Sequence, residues 1–137
     1  MKNHKKITAP ITVRFHDIDA MGHVNNALFL TYFEEGRKAF LHEVFGIAEP
    51  AQYPFILAKI SCDYLKPIGL GDSVFLHVWV SDIGAKSFTF IYELFDPGNP
   101  SSVYASGTSV MVYYDYDAKK TMPIPEGFKK KLREYCE

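Results

Sequence analysis

Asp17, Asp19, Gly22, His23, Asn25 and Asn26 crowd into one short stretch, and their types are those that carry chemistry. A carboxylate can attack an electrophilic carbonyl or take a proton from the water that does so. An imidazole beside it can orient the carboxylate or donate to a substrate. The residues C-terminal to this stretch matter as much. From Asn26 the apolar residues Phe29, Phe33, Phe40 and Val44, with Gly36 among them, recur at steps of three or four, the period of a helix. Asn25 and Asn26 stand where a helix cap is wanted, because an Asn oxygen accepts from the first unpaired amides. The loop therefore feeds a helix N-terminus, whose amides and dipole favour developing negative charge.

Each of these residues also has a plain structural reading. An Asp before a helix commonly bonds loop amides, and a lone loop His is often structural. Asp17 shares the phase of Asp19 and is assigned to holding the loop. Glu34 and Arg37, three apart on the helix, suit an ion pair.

The elements that must hold the loop can be read in chain order. Residues 1–8 are a polar lead-in. The alternation of Ile11, Val13 and Phe15 predicts a strand over about residues 9–16. The helix from Asn26 is apolar over so wide an arc that other elements should wrap it, and Gly46 marks its end. Ile56, Ala58, Ile60, Cys62 and Tyr64 define one face of a second strand. A turn over residues 66–72, with Pro67, Gly69 and Gly71, precedes a strand in which Val74, Leu76, Val78 and Val80 alternate with Phe75, His77 and Trp79. Strands through residues 88–94 and 103–114 come next, and a short amphipathic helix after Pro125 turns Phe128 and Leu132 inward. Short links argue antiparallel neighbours. The fold class expected is α+β, an antiparallel sheet of about five strands on a long central helix, in one domain over residues 1–137.

Composition narrows the function. Lys plus Arg total 15 against 16 Asp plus Glu, so nothing suggests bulk attraction to nucleic acid or anionic membrane. No apolar run approaches the length of a membrane span. The basic start lacks an apolar stretch behind it, so a secretory signal is not expected. Cys62 and Cys136 have no metal-like spacing and suit a reducing cytoplasm. No metal cluster, Gly-rich phosphate loop or Ser-His-Asp set stands out, and neither metal nor cofactor is expected.

The order Asp17-x-Asp19-x-x-Gly22-His23-Val24-Asn25-Asn26, followed by Tyr32-x-Glu34 and Arg37, resembles the signature of hotdog-fold acyl-CoA thioesterases of the 4-hydroxybenzoyl-CoA thioesterase type. Phe29 stands where many relatives carry Tyr, and Gly36 where many carry Ala. The resemblance implies hydrolysis of acyl-CoA or acyl-carrier-protein thioesters, with Asp19 as nucleophile or general base and His23 and Asn25 beside it. Asn26, Phe29, Phe33, Lys59, Lys86 and Ser87 would meet substrate, with Lys66 a further phosphate candidate. Asp17, Gly22, Glu34 and Arg37 would support the loop and helix. It also implies a homodimer or homotetramer, with the strand over residues 56–64 facing a partner's loop. Two rival functions remain, a hotdog hydratase or dehydratase and a non-catalytic acyl-CoA-binding module. The lack of a His-Phe-Pro-Gly-like loop speaks against the first, and an intact Asp19 against the second.

Overall fold

A computed structural model describes residues 4–137, so part of the N-terminal lead-in lies outside the described residues. The strands are β1 (Ile7–Ile11), β2 (Phe55–Tyr64), β3 (Val74–Ser81), β4 (Ser87–Asp96), β5 (Asn99–Asp115) and the two-residue β6 (Lys120–Thr121). The helices are α1 (Asn26–Phe45) and α2 (Glu126–Glu134). The antiparallel sheet runs β1-β3-β4-β5-β2, with β6 on the end of β5. This is the α+β architecture expected.

Alternation sets the faces of the sheet. Val74, Leu76, Val78 and Val80 of β3 and Phe88, Phe90, Tyr92 and Leu94 of β4 are buried. They face α1, which buries Phe29, Tyr32, Phe33, Gly36, Phe40 and Leu41. Each of the Val, Leu and Phe side chains among them contributes about 1.5–3 kcal/mol by leaving water. The curled sheet wraps the buried side of α1, and its other side keeps Glu34, Glu35, Lys38 and Glu43 exposed. Phe33 stacks on Tyr92 at 4.5 Å between ring centroids. Gly46 ends α1 in the left-handed conformation, its amide bonded back to His42 and Leu41. Phe128 of α2 stacks on Phe45 at 4.0 Å, and Leu132 is fully buried.

Gly36 lets α1 sit close on the sheet. A Cβ there would fall against the side chains of Leu76 and Val78. Helix propensity alone would make Gly36→Ala a gain of about 1 kcal/mol, but overpacking costs about 1–3 kcal/mol. Gly36→Ala is expected to lower stability by about 1 kcal/mol net in urea unfolding; a stabilised variant would mean that α1 rides higher than described.

Strands β1, β2 and β5 differ from the sequence expectation: β1 starts at Ile7, within the expected lead-in, and β5 at Asn99 rather than Val103. β1 stops at Ile11, because the Asp17 carboxylate accepts from the Arg14 amide at 3.1 Å and residues 15–17 wind into a 3-10 turn. In β2 a bulge between Leu57 and Lys59 resets the alternation. Phe55 and Leu57 pair beside Tyr113 and Met111, while Ile60, Cys62 and Tyr64 pair beside Ser109, Gly107 and Ala105, all on the helix side. Ile56 and Lys59 pair beside Val112 and Val110 on the opposite face.

Candidate active site

The loop between β1 and α1 is closed by its own backbone. The Asp17 amide donates to the Arg14 carbonyl, the Asp19 amide to the His23 carbonyl at 2.8 Å, and the Gly22 amide to the Asp19 carbonyl at 3.0 Å. Gly22 takes a φ of 83°, which a side chain would resist. A short bridge from Ile18 to Val24 closes the turn, and one from His23 to Gly69 pins it to the β2–β3 connection.

The two aspartates divide the work. The Asp17 side chain is 1% exposed. It accepts from the Tyr32 hydroxyl at 2.7 Å, from the Arg14 amide and from the Arg14 guanidinium at 3.1 Å. Burial pushes this carboxyl up, but the hydroxyl, the amide and the guanidinium outweigh it and hold it below the usual carboxylate range. Burial, and then Asp17 itself, push the Tyr32 hydroxyl far up, so it remains a donor. Asp17 is a structural lock joining the loop to α1.

Asp19 is half-buried and differently used. One oxygen, Oδ1, accepts from the amides of Met21 at 2.9 Å and His23 at 3.3 Å. Its Oδ2 has no hydrogen bond among the described residues. Asp19 lines a cleft of about 330 Å³ with Met21, His23, Asn26, Phe29 and Tyr64. At the adjoining helix start, the Asn25 side chain accepts from the Ala27 amide at 2.9 Å, and the Asn25 amide donates to the Asp17 carbonyl. The Asn26 amide keeps no acceptor among the described residues. The cleft thus holds a carboxylate oxygen without a partner near a spare helix N-terminal N–H.

The other sequence candidates scatter. The ring of His23 lines the cleft and makes no hydrogen bond among the described residues. Phe29 forms the cleft's apolar wall. Phe33 is fully buried against Tyr92 and lines none of the described pockets, so it belongs to the core. Lys59 lies on the outer face of the sheet, opposite Ile60, Cys62 and Tyr64. Lys66 lines the cleft, its Nζ on the Ser102 hydroxyl at 2.7 Å. Glu34 and Arg37 approach to 3.8 Å at the expected helical spacing. Among the described residues no three His, Cys, Asp or Glu side chains converge as a metal ion needs.

Lys86 and Ser87 lie at the far end of the sheet. Ser87 is in register with Val112, which pairs with Ile56, whereas Tyr64 at the cleft pairs with Ala105. Seven residues of β5 separate the two rows, about 24 Å at strand rise. Within one chain they do not share a site with Asp19.

Sequence reasoning did not single out Tyr64 for this site. Its hydroxyl donates to the Asn26 carbonyl at 2.8 Å, and its ring meets Phe29 edge-on at 4.9 Å. It ties the end of β2 to the start of α1, a long-range contact that no local pattern announces.

The profile of the thioesterase-like superfamily matches residues 13–132. The chain belongs to this superfamily. A Bacillus subtilis protein named "Putative acyl-CoA thioesterase" is 26% identical over 121 residues, 86% of each chain. Among solved structures, a "predicted thioesterase" from Bacillus stearothermophilus superposes with a TM-score of 0.88 at 28% identity, over 97% of this chain and 98% of its own. A Thermus thermophilus thioesterase complexed with coenzyme A and Zn gives a TM-score of 0.81 at 32% identity, over 92% and 91%. The fold is the hotdog of these thioesterases, and thioester hydrolysis is the chemistry of the superfamily. No helix among the described residues is long and apolar enough to cross a membrane.

Proposed function

We propose that this thioesterase-superfamily chain hydrolyses acyl-CoA thioesters, with Asp19 as the reacting carboxylate and the N-terminus of α1 polarising the thioester carbonyl. The observation that carries this reading is the Asp19 Oδ2, left without a hydrogen bond in a cleft that also contains Asn26. In the nucleophilic route Oδ2 attacks the carbonyl carbon, CoA leaves as the thiolate, and water then cleaves the mixed anhydride. In the general-base route Oδ2 takes a proton from water, and the resulting hydroxide attacks. Either way an oxyanion forms, and the Asn26 amide is the donor available to it. His23 stands at the mouth to protonate the departing thiolate, and Lys66 offers charge to the CoA phosphates. A cytoplasmic location fits such a substrate.

A second copy of the chain completes this reading. Both sheet edges are open, but β1 is short and carries Pro10, which has no N–H to offer. β2 presents ten residues of edge, and such edges are normally covered. Antiparallel pairing of two β2 edges sets the Tyr64 end of one copy against the Ile56 end of the other. The Lys86 and Ser87 end of the second copy then approaches the first copy's cleft. Light scattering is expected to give a mass at least twice the 15.6 kDa of one chain; a fully active monomer contradicts this.

The rival reactions separate on substrate. With paired saturated and 2-enoyl CoAs, a thioesterase releases free thiol, a hydratase consumes the enoyl bond with the thioester intact, and a binding module does neither. Thiol release is the expected result, and enoyl consumption without it overturns the reading. Phe29 lines the cleft, so Phe29→Ala is expected to change the ratio of rates on short and long acyl chains several-fold. An unchanged ratio in a folded variant would place the acyl group elsewhere.

A further inference from the structure

The cleft at Asp19 ends blindly. With the thioester carbonyl placed by Asp19 and Asn26, an acyl group has two ways to go. One leads outward between Met21 and Leu65, both more than half exposed. The other leads inward onto Phe29 and Tyr64, where the chain covers apolar surface and leaves water. The inward way is short. On the helix side of β2 the next residue behind Tyr64 is Cys62, paired with Gly107. The place a Cβ would take at Gly107 is filled by the ring of Phe33, itself fully buried. The hollows farther along α1, at Leu57 and Arg37, share no lining residue with the cleft.

Tyr64 closes this inner end and is held at two points. Its hydroxyl donates to the Asn26 carbonyl at 2.8 Å, and its ring meets Phe29 edge-on at 4.9 Å between centroids. Phe29 is only 3% exposed and lies 6.4 Å from the ring of Tyr32, whose hydroxyl is bonded to Asp17. Swinging Tyr64 aside therefore breaks a hydrogen bond and an aromatic contact together. A cleft of about 330 Å³ has room for about eleven heavy atoms at the liquid-water share of about 30 Å³ each. With the sulfur, the carbonyl oxygen and the attacking water placed, about eight acyl carbons remain.

We infer that Tyr64 sets the length limit of the acyl group, so that the preferred substrates are thioesters of short chains, up to about eight carbons. This rests on the thioesterase reading above and adds to it the substrate class and the residue that selects it. The role belongs to the ring: it occupies the space a longer chain needs, while the hydroxyl fixes the ring against the first residue of α1. A methylene that a closed apolar pocket does not fit costs about tenfold or more.

The test compares kcat/KM for butanoyl-, octanoyl- and dodecanoyl-CoA. In wild type the value is expected to rise from butanoyl to octanoyl and to fall about tenfold or more from octanoyl to dodecanoyl. Tyr64→Ala vacates the space of the ring and should raise the dodecanoyl-to-octanoyl ratio about tenfold. Tyr64→Phe keeps the ring and should keep that ratio near the wild-type one, even where loss of the tie to Asn26 lowers kcat on every substrate. A wild-type value that does not fall at dodecanoyl overturns the inference. So does an unchanged ratio in folded Tyr64→Ala, or a ratio in Tyr64→Phe that moves as far as in Tyr64→Ala. Should Tyr64→Ala fail to fold, Tyr64→Leu is judged by the same ratio. If wild type hydrolyses none of the three, the thioesterase reading fails separately. Calorimetric binding of the same acyl-CoAs then judges the wall: a gain in affinity that stops at octanoyl supports it, and a gain that continues to dodecanoyl overturns it.

Discussion

Asp19→Asn is expected to lower kcat on the best thioester by about 10²-fold or more, with little change in affinity for a non-hydrolysable acyl-CoA analogue. Asn keeps the shape and its Oδ1 can still accept from the Met21 and His23 amides, which hold the turn. The charge on Oδ2 is what is lost, and with it the capacity to attack or to take a proton. Retention of near-wild-type kcat would move the assignment to His23 or Glu34, the other titratable groups considered for the role. The two routes open to Asp19 separate in a single turnover in ¹⁸O-labelled water. Direct attack leaves label in the Asp19 carboxylate, whereas general-base catalysis leaves it only in the released acid.

Asp17→Asn is expected to act on stability instead, lowering it by about 2–3 kcal/mol at neutral pH. The lost interactions are charge-assisted hydrogen bonds, worth about 1.5–3 kcal/mol each before relaxation, and the exposure of Arg14 screens part of them. The pH dependence gives the sign. The folded carboxyl lies below its ordinary value of 3.8, so its contribution is full above that value and is lost as pH falls through the lower folded one. The gap between wild type and Asp17→Asn in urea unfolding should therefore be open at neutral pH and shrink on acidification below about pH 4. A gap constant from neutral pH to about pH 3 would mean that the Asp17 charge does not hold the loop.

How much of this was legible depended on whether the cause was local. The span of α1 could be read, because its period, its Asn25 cap and its Gly46 stop all lie in neighbouring residues. The early end of β1 could not, since the competing pull comes from Asp17 and, behind it, Tyr32 on the helix. The face of β2 differs from the expected one at Ile56, because a bulge leaves no mark in the composition yet turns Ile56 to the outer face while Ile60, Cys62 and Tyr64 stay on the helix side. In the candidate site, the loop signature marked Asp19, His23 and Asn26 together, and they do line one cleft. Phe33 shares the helical spacing of Phe29, but its ring lies over Gly107 and Tyr92, and three-dimensional packing alone decides between wall and core. The contact of Tyr64 with the start of α1 is a product of that packing as well.

The most direct measurement is the initial rate of thiol release from a panel of aliphatic and aromatic acyl-CoAs, with purified wild type at several enzyme concentrations. At least one substrate should turn over with kcat/KM of about 10⁴ M⁻¹s⁻¹ or higher, at a rate proportional to enzyme. Thiol release no faster than the spontaneous rate on every thioester, from protein shown to be folded, would contradict the account.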